Sequence, residues 1–219
     1  MSDNLSRIAA ALLCLLSAAA VAAQGAPGSI EIGGGAGRFY GGAFARGSTN
    51  ITNQKADADD DILRGFWLAA QISREWGVEL AARRTVTNLL QSGGGVFPTK
   101  PVLAGLDVAS IELLGVRTWR RGNFAPYVGF GVGVTNLDPD VDDPAVRDTN
   151  RAALSLATGA RFYAVRWAGF RIDLRARATY LGKRENGDRG WNDSGRWFVN
   201  EEVMGGIFFT FGASAGRQP

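Results

Sequence analysis

The sequence contains no histidine, one cysteine (Cys14) and only 7 prolines in 219 residues. Without histidine, Ser-His-Asp and Cys-His hydrolase sites, His-ligated zinc and haem with a histidine axial ligand are all excluded. A single cysteine excludes an intrachain disulfide and any cysteine-cluster metal site. Beyond the N-terminal region there is no apolar run of about eighteen residues, so no membrane-spanning helix is encoded there. Excess charge is also scarce: 24 Lys and Arg against 21 Asp and Glu give a net charge of +3. With 46% hydrophobic residues, that balance argues for a folded chain over a disordered one. The pI near 9.3 comes from arginines dispersed on alternating faces, with no basic stripe to bind nucleic acid. Glycine is the abundant residue: 30 positions, about twice the usual share of ~7%. It clusters at Gly33-Gly34-Gly35 and at Gly129, Gly131 and Gly133, without the triplet period of collagen.

Met1 to Arg7 is short and polar, and Ile8 to Val21 is an almost unbroken apolar stretch. That stretch is shorter than the ~20 residues a helix needs to cross a bilayer, and Ala20-Val21-Ala22-Ala23 follows as an A-x-A-like cleavage site. Residues 1–23 are therefore expected to be a signal peptide, and 24–219 a single exported domain.

The exported part alternates with a period of two. Phe170, Ile172, Leu174, Ala176, Ala178 and Tyr180 share one face; Arg171, Asp173, Arg175, Arg177 and Thr179 share the other. On a helix those charges would scatter around the axis; on a strand they line one side. The pattern predicts strands at 30–46, 62–73, 76–87, 103–118, 127–135, 151–165, 170–180 and 198–211, with a bulge near Arg38-Phe39 where the first loses phase. Connections alternate between long and short, the long ones being Gly47–Asp61, Asn88–Val102, Asn136–Asn150 and Leu181–Trp197. The fold class expected is all-β: an eight-stranded antiparallel up-and-down transmembrane β-barrel, with short periplasmic turns and long extracellular loops.

A secreted lipocalin-like barrel binding a lipophilic ligand has the same strand count but faces its apolar residues inward. Two features favour the membrane form. Small residues accompany the charges on the polar faces. Aromatic residues also gather at both strand ends: Trp76, Trp119, Phe124, Tyr127, Trp167 and Phe170 near the short turns, and Tyr180, Trp191 and Trp197 near the long loops.

Two motifs carry a family resemblance. Phe124 to Thr135, with Pro126-Tyr127 followed by Gly129, Gly131 and Gly133, resembles a strand start of the small outer-membrane β-barrels that include OmpW-, OmpA- and OmpX-like proteins. Gly206-Ile207-Phe208-Phe209-Thr210-Phe211 is similar to the final-strand signal read by the outer-membrane insertion machinery, its key residues being Gly206, Phe209 and Phe211. The chain continues to Pro219, and Met204 stands where that signal usually has a polar residue. The resemblance implies a monomer in the outer membrane of a Gram-negative-type envelope. Its partners would be outer-membrane lipids, lipopolysaccharide and the insertion machinery, without a cofactor or catalysis. Its role would be structural, a narrow route for small apolar solutes, or surface adhesion. Enzymes on small barrels, the deacylases and phospholipases resembling Ser-His hydrolases and the omptin proteases, rely on histidine, which is absent here.

Three charged groups are candidates for chemistry. Arg171, Asp173, Arg175 and Arg177 can face Glu79, Arg83, Arg161 and Glu202 across the lumen, as an anion conduit or as a structural ion-pair network; the narrow interior of eight strands favours the network. Asp138, Asp140 and Asp142 imitate a calcium loop, but Asp143 and Thr149 replace its Gly and Glu, so a dedicated site is not expected; Asp57, Asp59, Asp60 and Asp61 read likewise as solvated loop carboxylates. Lys183, Arg184, Arg189 and Arg196, set among Glu185, Asp188 and Asp193, make a slightly basic fourth loop that could meet lipopolysaccharide phosphate. Glu201 and Glu202 point to opposite faces and cannot share a site.

Overall fold

The computed structural model describes residues 27–48, 53–92, 101–140, 149–181, 191–192 and 197–212. The expected signal peptide, most of the fourth loop including its four cations, Asp142 and Asp143, and the tail after Gly212 lie outside these residues.

Eleven strands occur among the described residues: β1 (Ile30–Tyr40), β2 (Ala43–Ser48), β3 (Asn53–Ala58), β4 (Asp61–Gln71), β5 (Trp76–Ser92), β6 (Val102–Thr118), β7 (Phe124–Asp140), β8 (Thr149–Val165), β9 (Ala168–Tyr180), β10 (Trp191–Asn192) and β11 (Trp197–Phe211). Eight of them close a ring, β1-β4-β5-β6-β7-β8-β9-β11, and the last strand returns to the first through an antiparallel ladder from Ile30↔Phe211 to Tyr40↔Glu201. β2 and β3 extend the β1–β4 hairpin beyond the ring; β3 also pairs with the far end of β5, and β10 with β2.

Alternation sets which side chains enter the lumen. On β9, Phe170, Ile172 and Leu174 are 59, 51 and 45% exposed, whereas Arg171, Asp173, Arg175 and Arg177 are buried. The same outward apolar face recurs on β5, with Trp76, Val78 and Leu80, and on β7, with Val128, Phe130, Val132 and Val134. A soluble lipocalin-like barrel requires the reverse, so that alternative falls. Trp76, Trp119, Phe124, Trp167 and Phe170 ring the short-turn end, and Tyr40, Tyr180 and Trp197 stand exposed toward the other. Trp167 stacks on Phe209, with centroids 6.0 Å apart. Tyr127, grouped with the girdle by sequence, is buried in the lumen instead.

The strands outrun several sequence-based boundaries. β5 continues to Ser92 and β7 to Asp140, through segments expected to be loop, the expected strand 30–46 divides into β1 and β2, and the first loop contains β3. Asp57 and Asp61 accordingly lie in strands, and Asp138 and Asp140 occupy extended positions of β7 rather than a wrapped calcium loop. Beyond the membrane both faces of a strand meet polar surroundings, so hydrogen bonding continues after hydropathy has stopped alternating. Nor is there a bulge at Arg38-Phe39: the β1 ladders keep register through both residues. The interruption falls at Gly41-Gly42, with the register shift between Ala43 and Ala45. Arg38 points outward and Phe39 inward, the alternation intact but the polarity inverted.

Leu174→Arg places a guanidinium on the lipid face, and the folded barrel is expected to lose ~2–4 kcal/mol. Urea titration of the lipid-reconstituted protein measures this; unchanged stability would mean that Leu174 does not meet acyl chains.

Candidate functional site

Five arginines and five carboxylates meet in the middle of the lumen, delivered by six strands. β9 supplies Arg171, Asp173, Arg175 and Arg177; β5 supplies Glu79 and Arg83; β8, β11, β1 and β6 supply Arg161, Glu202, Glu31 and Glu112. Each is on the inward phase of its strand, so the period of two that puts leucines in lipid puts these charges together.

The pairs form a continuous net. Arg171 Nη1 lies 2.6 Å from Glu79 Oε2, and its Nη2 is 2.5 Å from Asp173 Oδ2. Arg175 spans Glu79 at 3.1 Å and Glu112 at 2.5 Å. Arg177 joins Glu112 to Glu202, the latter at 2.6 Å. Arg83 links Asp173 at 3.0 Å to Glu202 at 2.9 Å, and Arg161 pairs with Glu31 at 2.8 Å. The five positive and five negative charges cancel. Uncompensated charge in so dry a place would be strongly unfavourable.

Neutral groups hold the net in position. Arg171 Nε donates to the Tyr127 hydroxyl at 2.8 Å, and its guanidinium lies 4.7 Å from the Trp67 ring centroid and 4.6 Å from that of Tyr127. Trp67 Nε1 donates to Glu31 Oε1 at 2.8 Å, and the Ser155 hydroxyl donates to Glu112 Oε1 at 2.5 Å. The Trp67 ring occupies space that glycine leaves free: a Cβ on Gly33 would sit 2.2 Å from it, and one on Gly206 2.7 Å. Above the charges the lumen is filled by Phe39, Leu63, Leu106, Val108, Leu137 and Phe198, interleaved with buried Thr85, Thr87, Ser110, Thr135, Thr179 and Asn200; below lie Tyr163 and Phe208, ring to ring at 5.0 Å. At the short-turn mouth, the cleft bounded by Glu31, Arg161 and Tyr163 measures about 20 Å³, room for about one water.

All eight charged residues expected to face one another across the lumen stand in it. Glu31, Glu112 and Trp67 were not singled out, and Tyr127 was assigned to the girdle. Glu31 is hidden by the glycines that share its phase, and Glu112 by Leu114 and Val116, which make both faces of β6 look apolar. Gly206 faces the lumen, whereas Phe209 and Phe211 lie on the outward phase of β11, opposite Ile32 and Ile30. Glu201 and Glu202 point apart, Glu201 to the outside.

This arrangement resembles known proteins. Residues 8–199 match the family described as outer membrane protein beta-barrel domain. Among solved structures, the outer membrane protein OprG from Pseudomonas aeruginosa superposes with a TM-score of 0.62 at 20% identity, covering 87% of this chain and all of that one. Neisserial surface protein A superposes at 0.51 with 13% identity, covering 83% of this chain and 98% of that one. AlkL, solved in lipid bilayers, superposes at 0.51 with 15% identity, covering 88% and 94%. Such identities establish a shared fold. No curated protein sequence matches the chain.

Proposed function

The chain belongs to the outer membrane protein beta-barrel domain family and resides in the outer membrane of a Gram-negative-type envelope, and on that premise we propose that it is a closed, non-catalytic barrel acting at the cell surface. Its function is to anchor the extracellular strand extensions and loops, in a structural or adhesive role, rather than to conduct solutes along its axis. The observation that carries this reading is the charge-balanced net across the lumen, with buried apolar and hydroxyl side chains filling the space above it. Any solute entering from outside would have to displace these packed side chains, and a small apolar one would then meet ten charges. An OmpW-like axial route for apolar molecules therefore has little support in this interior. The same reading makes Gly206, Phe209 and Phe211 the signal for the insertion machinery, and the barrel a monomer.

Purified barrel in planar bilayers is expected to show no large, steady, ohmic conductance, since eight strands leave an interior just wide enough for side chains. A porin-sized conductance from the monomer would overturn the closed reading and favour an anion conduit lined by Arg171, Arg175 and Arg177.

A further inference from the structure

On the outer wall, toward the long-loop end, four neighbouring strands turn charged side chains outward among exposed Tyr40, Ile62 and Val86. β1 turns Arg38 outward beside inward Phe39; β4 turns Arg64 outward beside inward Leu63; β5 and β6 turn out Arg84 and Asp107. The ladders line these residues up. Arg64 is directly opposite Arg84, and Arg38, opposite Ile62, is diagonal to Arg64. Asp107, opposite Val86, is diagonal to Arg84 and holds it with both carboxylate oxygens, the shortest contact being 2.5 Å. Arg38 and Arg64 have no ion-pair or hydrogen-bond partner among the described residues. Two like charges directly opposed on a sheet face repel; outward Glu201, diagonal to Arg38, and Asp138, opposite Asp107, are the nearest further carboxylates along the ladders, and neither is paired with Arg38 or Arg64.

Beside them a groove of about 820 Å³ runs along the outer wall past Arg64 and Arg84, with Asp61, Ile62, Val86, Asn136 and Asn150 lining it toward the long-loop end. Ala82 and Ala109 are small enough to form its floor, and Phe66, Ile111 and Val134 wall it, 72, 61 and 48% exposed. Cations therefore stand in the long-loop half of a trough whose short-turn half is apolar. That is the shape and charge order of a membrane amphiphile with an anionic head. Guanidiniums bind phosphate through paired, charge-assisted hydrogen bonds, and lysines, the weaker phosphate forks, are absent from the patch.

We propose that Arg38, Arg64 and Arg84 form a lipid-phosphate site on the barrel wall, in which a phosphorylated glycolipid of the outer leaflet places its phosphate on the arginines and an acyl chain in the Ala82–Ala109 trough. The site is separate from the lumen and does not depend on whether the barrel conducts.

The test is native mass spectrometry of the folded, detergent-solubilised protein titrated with lipid A, against the same lipid stripped of phosphate. Wild type should bind lipid A, and dephosphorylation or the double variant Arg64→Gln/Arg84→Gln should weaken binding roughly tenfold or more. Arg38→Gln should weaken it less. Asp107→Asn, which frees Arg84, should tighten it, and Arg117→Gln, an outward arginine paired with Glu75 near the short turns, should not change it. Equal binding of the phosphate-free lipid would overturn the proposal and leave an apolar groove alone. Undiminished binding by the folded double variant would overturn it too, as would displacement of the lipid by an equal concentration of inorganic phosphate. Should the double variant not fold, the comparison of the two lipids on wild type decides alone.

Discussion

Replacing Arg171 by methionine is expected to destabilise the folded barrel by about 3–5 kcal/mol, the range for removing one partner of a buried ion pair. Arg171 contacts Glu79 and Asp173 directly and lies between the Trp67 and Tyr127 rings. Methionine would fill much of the volume but leave the lumen with one uncompensated negative charge. The companion Arg171→Met/Glu79→Met restores neutrality and is expected to recover a large part of the loss, since a buried pair exchanged for apolar residues of similar volume is often nearly neutral. Recovery should fall short of complete, because Glu79 also holds Arg175 at 3.1 Å. Urea titration of the reconstituted protein, read as loss of the heat-modifiable band, gives both values. A single variant within about 1 kcal/mol of the parent would mean that the lumen is hydrated like a surface, where ion pairs are worth ~0–1 kcal/mol, and would remove the basis for a closed interior.

Gly37→Val is expected to leave little or no closed barrel. A Cβ at Gly37 would stand 1.8 Å from the Val203 carbonyl oxygen and 2.6 Å from the Met204 Cα, and one at Gly35 2.2 Å from the Gly205 carbonyl oxygen. These are backbone atoms of β11, so no rotamer change relieves the overlap and the β1–β11 ladder would have to separate. This seam joins the first and last strands of the ring, and without it both present unpaired edges to lipid, where unsatisfied backbone groups cost several kcal/mol each. Gly115→Ala is the control, since the nearest atom to its Cβ would be 4.0 Å away. The folded fraction in outer-membrane preparations measures both. Phe211→Ser, at the same seam but on the lipid side, should lower the folded fraction in cells while still refolding in detergent, which separates recognition by the insertion machinery from closure. A heat-modifiable Gly37→Val barrel at parental yield would show that the strands can move apart at this point.

Fold class and membrane orientation were legible along the chain because a strand has a period of two and the bilayer imposes one polarity along ten or so residues. Phe170 to Tyr180 shows this: local alternation, with no knowledge of neighbours, assigns Leu174 to lipid and Arg175 to the lumen. Strand ends were less legible. Outside the bilayer nothing enforces alternation, so Asn136–Asp140 reads as loop although it hydrogen-bonds as strand. The same limit made Arg38-Phe39 look like a bulge, when it is regular strand with an outward arginine and an inward phenylalanine.

Partner choice belongs to the tertiary structure. That Arg175 meets Glu112 and Glu79, 63 and 96 residues away, depends on ring closure, strand register and barrel tilt, none of which is local. That Arg64 lies against Arg84 and diagonal to Arg38 follows from two ladders, while in the sequence the three are isolated arginines. Alternation determines which face a residue occupies by itself. Which residues share that face at the same height is decided only when eight strands are laid side by side and the last is joined to the first.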